Sequence, residues 1–243
     1  MRCLVTAGPT YEPLDDVRRL TNFSTGRLGS ELSNYLASRG HSVDLLLGYY
    51  TVYRGRQKAR KVETFTTTAD LHQRLASRAS EAIDAVFHAA AVSDFAFGQV
   101  WKREQFKERD RNPGMRQPEG HLPKPDSDWG QTGLRTGKLT TREGVLVAEL
   151  VPTPKIIRQL RAWYPRAFLA GWKYEVDGDR PTVLVKARQQ MADNRTDACV
   201  ANGPAYGEGF GLVTVTRPEA HLADTAVLFE ALEDLIRRRS DPS

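Results

Sequence analysis

Several signatures of common chemistries are missing from these 243 residues. No G-x-G-x-x-G follows the first strand-like run, which excludes the dinucleotide fingerprint and its tight turn. No lysine follows a G-x-x-x-x-G, there is no Gly-x-Ser-x-Gly elbow, and the Tyr-x-x-x-Lys pair of short-chain reductases is absent. The five histidines, at 41, 72, 88, 121 and 221, have no metal-ligand spacing. His88, in a strand-like run, reads as a hydrogen-bonded core residue rather than a ligand. Only two cysteines occur, Cys3 and Cys199, both inside apolar runs, and they read as buried free thiols suited to a reducing compartment. No apolar run approaches the roughly 20 residues that span a bilayer. The chain opens directly into a strand rather than a leader, so a cytoplasmic location without membrane contact is expected.

What is present is an alternation of strand-like and helix-like segments. Strands are expected at 4–7, 42–47, 62–65, 82–90, 167–171, 198–201 and 213–216. Helices are expected at 28–39, 69–79 (capped by Thr67 or Thr68), 152–163 with proline at its start, 180–193 and 223–238. Short apolar runs on both faces mark central parallel strands. The pattern predicts α/β architecture: one doubly wound, Rossmann-like, mostly parallel sheet in a single domain over 1–243. Short extra strands are expected near 139–150 and 211–222. Residues 98–137 are rich in charge, proline and glycine, and read as a mobile loop.

The segment between the first strand and the first helix stands out. About twenty residues separate Ala7 from the Gly26-Arg27-Leu28-Gly29 helix start, whereas strand-to-helix links usually take about 2–6 residues. Ordered loops of this length are typically binding loops. Amides at Gly26–Gly29, backed by the helix dipole, suit a phosphate. Gly8, 22–29, 90–94, Trp172 and Asn202 all follow expected strands or open a helix, and in this architecture they converge on one crevice. The charge of +5 favours anionic ligands. Arg54, Arg56, Lys58, Arg60 and Lys61 form a dense basic run, readable as a solvated loop, as attraction for a phosphorylated substrate, or as non-specific nucleic-acid contact. No aromatics are interleaved for stacking, so nucleic acid is not expected as a partner.

The blocks Val5-Thr6-Ala7-Gly8-Pro9-Thr10-Tyr11-Glu12-Pro13-Leu14-Asp15, Val17-Arg18, Asn22-Phe23-Ser24-Thr25-Gly26-Arg27-Leu28-Gly29, Ala89-Ala90-Ala91-Val92-Ser93-Asp94-Phe95, Gly137-Lys138-Leu139, Gly171-Trp172-Lys173-Tyr174-Glu175 and Val200-Ala201-Asn202 carry a resemblance. In this order, with Gly209-Phe210-Gly211 after them, they resemble the phosphopantothenate–cysteine ligase family. That is the phosphopantothenoylcysteine synthetase domain of the DNA/pantothenate metabolism flavoproteins. The resemblance implies a ligase of coenzyme A biosynthesis in which 4′-phosphopantothenate attacks the α-phosphate of CTP or ATP, with Mg²⁺, and cysteine captures the acyl nucleotide. It also implies a homodimer. Carried over, Asn22 holds the acyl group, Lys138 serves acyl-nucleotide formation, and Arg18 supports the loop or the substrate. Gly8, Ser24, Gly26, Gly29, Trp172 and Asn202 bind nucleotide; Ala90, Ala91 and Asp94, with Asn22, line the substrate site; no protein metal site is implied.

The chain departs from the family pattern in three places. Lys138-Leu139-Thr140-Thr141 replaces a lysine-rich run, Trp172 replaces a phenylalanine, and uncharged Gln190 and Asn194 stand near two lysine positions. Lys186, Arg188 and Arg195 are the candidate replacements. A nucleotide-binding regulatory or scaffold homologue without turnover stays open at this point, as does an oxidoreductase on the same sheet.

Overall fold

The computed structural model describes residues 1–111 and 137–240. In chain order its elements are β1 (Arg2–Pro9), β2 (Tyr11–Pro13), β3 (Arg19–Thr21), α1 (Arg27–Ser38), β4 (Ser42–Gly48), β5 (Lys61–Phe65), α2 (Thr68–Ala76), β6 (Ala85–Ala91), β7 (Phe95–Lys102), α3 (Arg103–Arg111), β8 (Leu146–Pro152), α4 (Leu160–Trp163), β9 (Phe168–Tyr174), α5 (Arg180–Asn194), β10 (Ala198–Asn202), β11 (Phe210–Thr214), β12 (Ala220–Leu222) and α6 (Thr225–Ser240). An eight-stranded sheet runs β12-β11-β10-β9-β6-β1-β4-β5. Its strands are parallel from β5 to β10, and β11 and β12 close one edge antiparallel. The expected doubly wound α/β class is what the chain adopts.

Period-two alternation divides the core. Val5, Ala7, Val43, Leu45, Ala85 and Phe87 pack beneath α1 and α6, which bring Leu32, Leu36, Leu228, Leu232 and Ile236. Leu4, Leu46 and Val86 face the other way, against Leu71 and Leu75 of α2 and Leu160 of α4. Val183, Ala187 and Met191 of α5 extend that layer over Cys199 and Ala201. Both thiols are buried, and burial pushes each up to about 12, so neither is nucleophilic. From β1 the chain moves out through β4 to β5, then returns to the other side of β1 at β6. This reversal is a topological switch point, and the carboxyl ends of β1 and β6 flank it with Gly8 opposite Ala90.

Four expectations need correction. The long loop after β1 is not wholly irregular, since β2 and β3 form a small antiparallel hairpin in it. Its turn is fixed by the Asp15 carboxylate, which accepts from the amides of Val17 (2.9 Å) and Arg18 (2.7 Å). Residues 98–111 are not loop: β7 and α3 occupy them, and β7 pairs with β8 as a separate two-stranded arm. The remainder of that stretch, 112–136, lies outside the described residues. Residues 152–163 are not one helix. Thr153 donates its amide to the Asp94 carbonyl (2.9 Å), which prolongs the strand, and helix begins only as a short 3₁₀ turn at Ile156–Arg158 before α4. The late strand expected at 213–216 is displaced to β11 at 210–214. It pairs with β10, and β8 pairs with β7, so both short extra strands find partners within the chain.

Helix α1 lies close to β1 because Gly29 lacks a side chain. A Cβ there would sit 2.7 Å from the Ala7 Cβ and 3.1 Å from the Thr6 carbonyl oxygen. Both obstacles belong to the buried central strand and cannot yield. Gly29→Ala is therefore expected to destabilise the fold by about 1–3 kcal/mol, the usual cost of overpacking. This will be read as a lower urea midpoint at unchanged slope. A midpoint equal to the parent's would refute the close-packing argument.

Candidate functional site

The carboxyl ends of the strands carry a buried polar seam. Thr10 Oγ1 lies 3.1 Å from Ser93 Oγ and 3.2 Å from Thr68 Oγ1, and accepts from the Ser93 amide at 2.8 Å. The Thr68 amide donates to Glu12 (2.9 Å), whose carboxyl is pushed up by burial. These bonds tie the loops after β1 and β6 together, and the site residues stand on them.

Asn22 reaches across to β6. Its Nδ2 donates to the carbonyls of Ala91 and Val92, both at 3.2 Å. With both amide hydrogens engaged, Oδ1 is left as a free acceptor. Phe23 beside it is fully exposed. Ser24 Oγ accepts from the Gly26 amide (3.4 Å), and Ser30 is the first amide of α1 to reach a helical acceptor, Gly26 O (3.1 Å). The amides of Leu28 and Gly29 have no intrahelical acceptor, as at any helix start.

Gly8 and Gly26 have a packing role of their own. Both have left-handed backbone, with φ +83° and +72°, and added Cβ atoms would strike Thr51 at 2.1 and 2.6 Å. Thr51, buried between them, fills the space where a ligand atom would otherwise approach their α-carbons. The segment carrying it is stitched to the loop by Tyr53 N–H to Thr25 O (3.1 Å). The basic run that follows is partly neutralised: Arg60 pairs with Asp44 and Lys61 with Glu63.

A cleft of about 590 Å³ opens on the sheet face that carries α5, bordered by His88, Ala90, Val92, Asp94, Lys155, Arg158, Trp172, Lys173, Glu175, Lys186 and Gln190, among others. Four cations converge there. Lys155 pairs with Asp94, and Glu175 binds Lys173 (2.8 Å) and Lys186 (2.5 Å). Burial opposes the charge on Glu175, but the two ammoniums outweigh it and hold its carboxyl below the ordinary value. Of the three cations considered as replacements for lysines at 190 and 194, only Lys186 reaches this cleft. Arg188 pairs with Glu219, and Arg188 and Arg195 border a different pocket. Gln190 instead donates to the Trp172 carbonyl (3.1 Å).

Trp172 bridges the two faces. Its carbonyl lies toward α5, whereas its ring packs against the core beneath α1 and α6. Among the described residues the buried indole Nε1 and the buried Oδ1 of Asn202 find no hydrogen-bond partner. The residues thus fall into two sets. Ala90 and Asp94 border the lysine cleft; Ser24, Gly26 and Gly29 lie at the start of α1; Asn22 and Ala91 stand between them. Lys138 is exposed, next to Leu139, which contacts Asp15 and Arg18. Among the described residues no cluster of three or more His, Cys, Asp or Glu could hold a metal ion, and no helix is long and apolar enough to cross a membrane.

His88, read from sequence as core, borders the cleft and hydrogen-bonds Thr6 Oγ1 through Nδ1 (2.9 Å). The same hydroxyl oxygen accepts from the Ala90 amide (3.2 Å), which ties the ring to the carboxyl end of β6. Burial lowers its pKa to about 4 from an ordinary 6.5.

Residues 1–116 match the family model of the DNA/pantothenate metabolism flavoprotein C-terminal domain. The coenzyme A biosynthesis bifunctional protein CoaBC of Thermococcus kodakarensis is 29% identical over 201 residues, 83% of this chain and 41% of that protein. The Bacillus subtilis protein of the same name is 26% identical over 243 residues, 96% of this chain and 50% of its own length. The chain thus spans half or less of these relatives. A DNA/pantothenate metabolism flavoprotein from Streptococcus pneumoniae shares the fold, with TM-score 0.78 at 24% identity over 98% of this chain and 99% of that one. A Cab2 variant solved with phosphopantothenate-cysteine does so at TM-score 0.67 and 20% identity, covering 98% of this chain and 86% of that one.

The depressed pKa of His88 has a signed consequence. The folded state disfavours the protonated ring, so its stabilisation is complete above about pH 6.5 and is lost as pH falls toward about 4. Native stability is expected to fall through that window, His88 contributing a slope of up to about 1.4 kcal/mol per pH unit. His88→Met should remove this component when urea melts are compared from pH 7 to 4. Parallel curves for parent and variant would contradict the assignment.

Proposed function

We propose that this chain, whose residues 1–116 match the model of the DNA/pantothenate metabolism flavoprotein C-terminal domain, is a phosphopantothenate–cysteine ligase. The reaction it catalyses uses a nucleoside triphosphate and passes through an acyl nucleotide. The observation that carries the reading is the pair of anion-accepting regions flanking the switch point. One is the cleft with Lys155, Arg158, Lys173 and Lys186; the other is the uncapped start of α1. Two anionic reactants, a triphosphate and a phosphorylated carboxylic acid, must meet in this reaction. The lysine cleft suits the triphosphate, and the α1 amides suit a single phosphate.

The chemistry follows from charge. A carboxylate attacks an α-phosphate poorly unless cations offset the repulsion. Lys173 and Lys186, held together by Glu175, and Lys155, held by Asp94, present a fixed positive rim. Lys138 adds a movable one. The carboxylate oxygen forms a bond to the α-phosphorus, and pyrophosphate leaves. The amine of cysteine then attacks the acyl carbon, and the nucleoside monophosphate departs. Mg²⁺ would travel on the triphosphate, where one or two carboxylates are enough for it. Asp94, exposed at the cleft, fits that need and the ion would supply further neutralisation.

Asn22 acts in the second step, and its hydrogen bonds support this reading. Its Nδ2 is bound to two carbonyls, so Oδ1 is the atom available to receive an N–H of the incoming cysteine. Aspartate at 22 would set an anionic oxygen against those carbonyls and lose the orientation. Lys138→Gln is expected to abolish acyl-nucleotide formation. Asn22→Asp should let the intermediate accumulate while product falls by about 10²–10³. Mixing the protein with phosphopantothenate, cysteine, Mg²⁺ and CTP or ATP, with pyrophosphate release and mass spectrometry of quenched samples, tests both. Nucleotide binding without pyrophosphate release would favour a regulatory homologue without turnover. Parent-like turnover in both variants would refute these roles.

A homodimer and a cytoplasmic location complete the proposal. The β7–β8 arm stands apart from the main sheet and exposes Phe95, Val145 and Leu150. Light scattering at micromolar concentration should give twice the mass of the chain, and a monomer would count against the dimer.

A further inference from the structure

The contact between the β2–β3 hairpin and the residue after Lys138 goes beyond these assignments. The Asp15 side chain is fully buried, unusual for a carboxylate in a surface hairpin. Its Oδ1 accepts from the amides of Val17 and Arg18, at 2.9 and 2.7 Å. Its Oδ2 accepts from Arg18 Nε (2.9 Å) and, from 124 residues along the chain, the amide of Leu139 (3.1 Å). Arg18 Nη2 bonds the same carboxylate and also the Leu139 carbonyl (2.8 Å). The acid and the guanidinium therefore grip the N–H and C=O of one residue, as a neighbouring strand would. Both bonds are charge-assisted and so stronger than neutral ones.

We propose that Asp15, acting with Arg18, is a positioning residue that clamps the backbone of Leu139 and thereby holds Lys138 at the reaction site. Only main-chain atoms are held, which leaves the Lys138 side chain free to reach a reactant. Gly137 adds backbone freedom on the other side; a Cβ there would meet nothing closer than Asp16 Oδ2, at 3.9 Å. Arg18, expected from sequence to support the loop or the substrate, acquires a defined task. The Arg18 guanidinium and the amides keep the Asp15 carboxyl well below the ordinary carboxylate range, so the clamp is charged at neutral pH. The functional half of this proposal rests on the ligase reading; the clamp itself does not.

Two readouts separate them. The Lys138–Leu139 bond is a trypsin site whose second residue is clamped, so cleavage there reports release. Asp15→Asn keeps one acceptor oxygen but loses the charge that binds Arg18. Arg18→Gln removes the bond to the Leu139 carbonyl from a half-exposed position and spares the fold if Asp15→Asn does not. Under native conditions the peptide beginning at Leu139 is expected to appear about tenfold or more faster in each folded variant, with the melting temperature of Arg18→Gln unchanged. Acyl-nucleotide formation should fall by a similar factor in kcat, with KM for the acid little changed. Parent-like cleavage in both folded variants overturns the clamp. Faster cleavage with undiminished acyl-nucleotide formation overturns its link to Lys138. A parent that forms no acyl nucleotide overturns the ligase reading instead, and the cleavage rates still decide the clamp.

Discussion

The arrangement depends on the lateral pairing of β1 with β6 at the point where the chain reverses its course across the sheet. Buried parallel strands must satisfy their backbone groups on both edges, and β1 does so against β4 and β6. Beyond the last ladder bond the two chains diverge, and their polar groups need other partners. Thr6, Thr10, Ser93, Thr68 and Glu12 provide them in a buried seam. A seam of this kind is costly when partly satisfied, so it tolerates little displacement. Rigidity at the switch point is what lets loops from distant parts of the sequence meet with fixed geometry. Asn22 takes its orientation from β6 carbonyls, and Asp15 takes hold of Leu139, only because the seam fixes where both loops leave the sheet.

Thr51 shows the same constraint from the other face. Gly8 and Gly26 leave a gap where the β1–α1 and β4–β5 links cross, and the threonine side chain occupies it. The glycines are needed for protein to pack on protein, and the α1 start is placed as a consequence. In the proposed reading, anion capture at that start would rely on amides with no acceptor of their own, not on glycine flexibility at the moment of binding.

The central strands were legible in the sequence because burial on both faces forces continuous apolar runs such as Leu4–Ala7, Ala85–Phe87 and Ala198–Ala201. The amphipathic helices were legible by their period. The β2–β3 hairpin was not, since three-residue strands carry no period and its turn depends on one side chain, Asp15. The β7–β8 arm and α3 were hidden by a run of charge beginning at Lys102-Arg103-Glu104 that reads as solvated chain in the absence of its partner strand. Around the site, motif residues were found and their surroundings were not. Asp15 stood inside a recognised block without a role. His88 was read as core, and it is buried, neutral and hydrogen-bonded, yet it also borders the cleft. Thr51 offered no sequence signal, because its importance lies in which glycines it faces.

The cleft cations raise a question of energetics that their pairing answers. Four cations held close together without acids would repel one another and weaken the fold at that edge. Glu175 shared between Lys173 and Lys186, and Asp94 beside Lys155, relieve that repulsion while the cleft is empty. These pairs are partly solvent-exposed, so each is worth little in stability. In the proposed ligase reaction a triphosphate would offer more charge and more acceptor oxygens than two carboxylates, and would draw the ammoniums toward itself at small cost. The carboxylates then orient the lysines in advance of binding, and Gln190 and Asn194 need not be cationic for the rim to be positive. Gln190 has a local task of its own: its side-chain amide donates to the Trp172 carbonyl and ties α5 to β9 at the edge of the cleft.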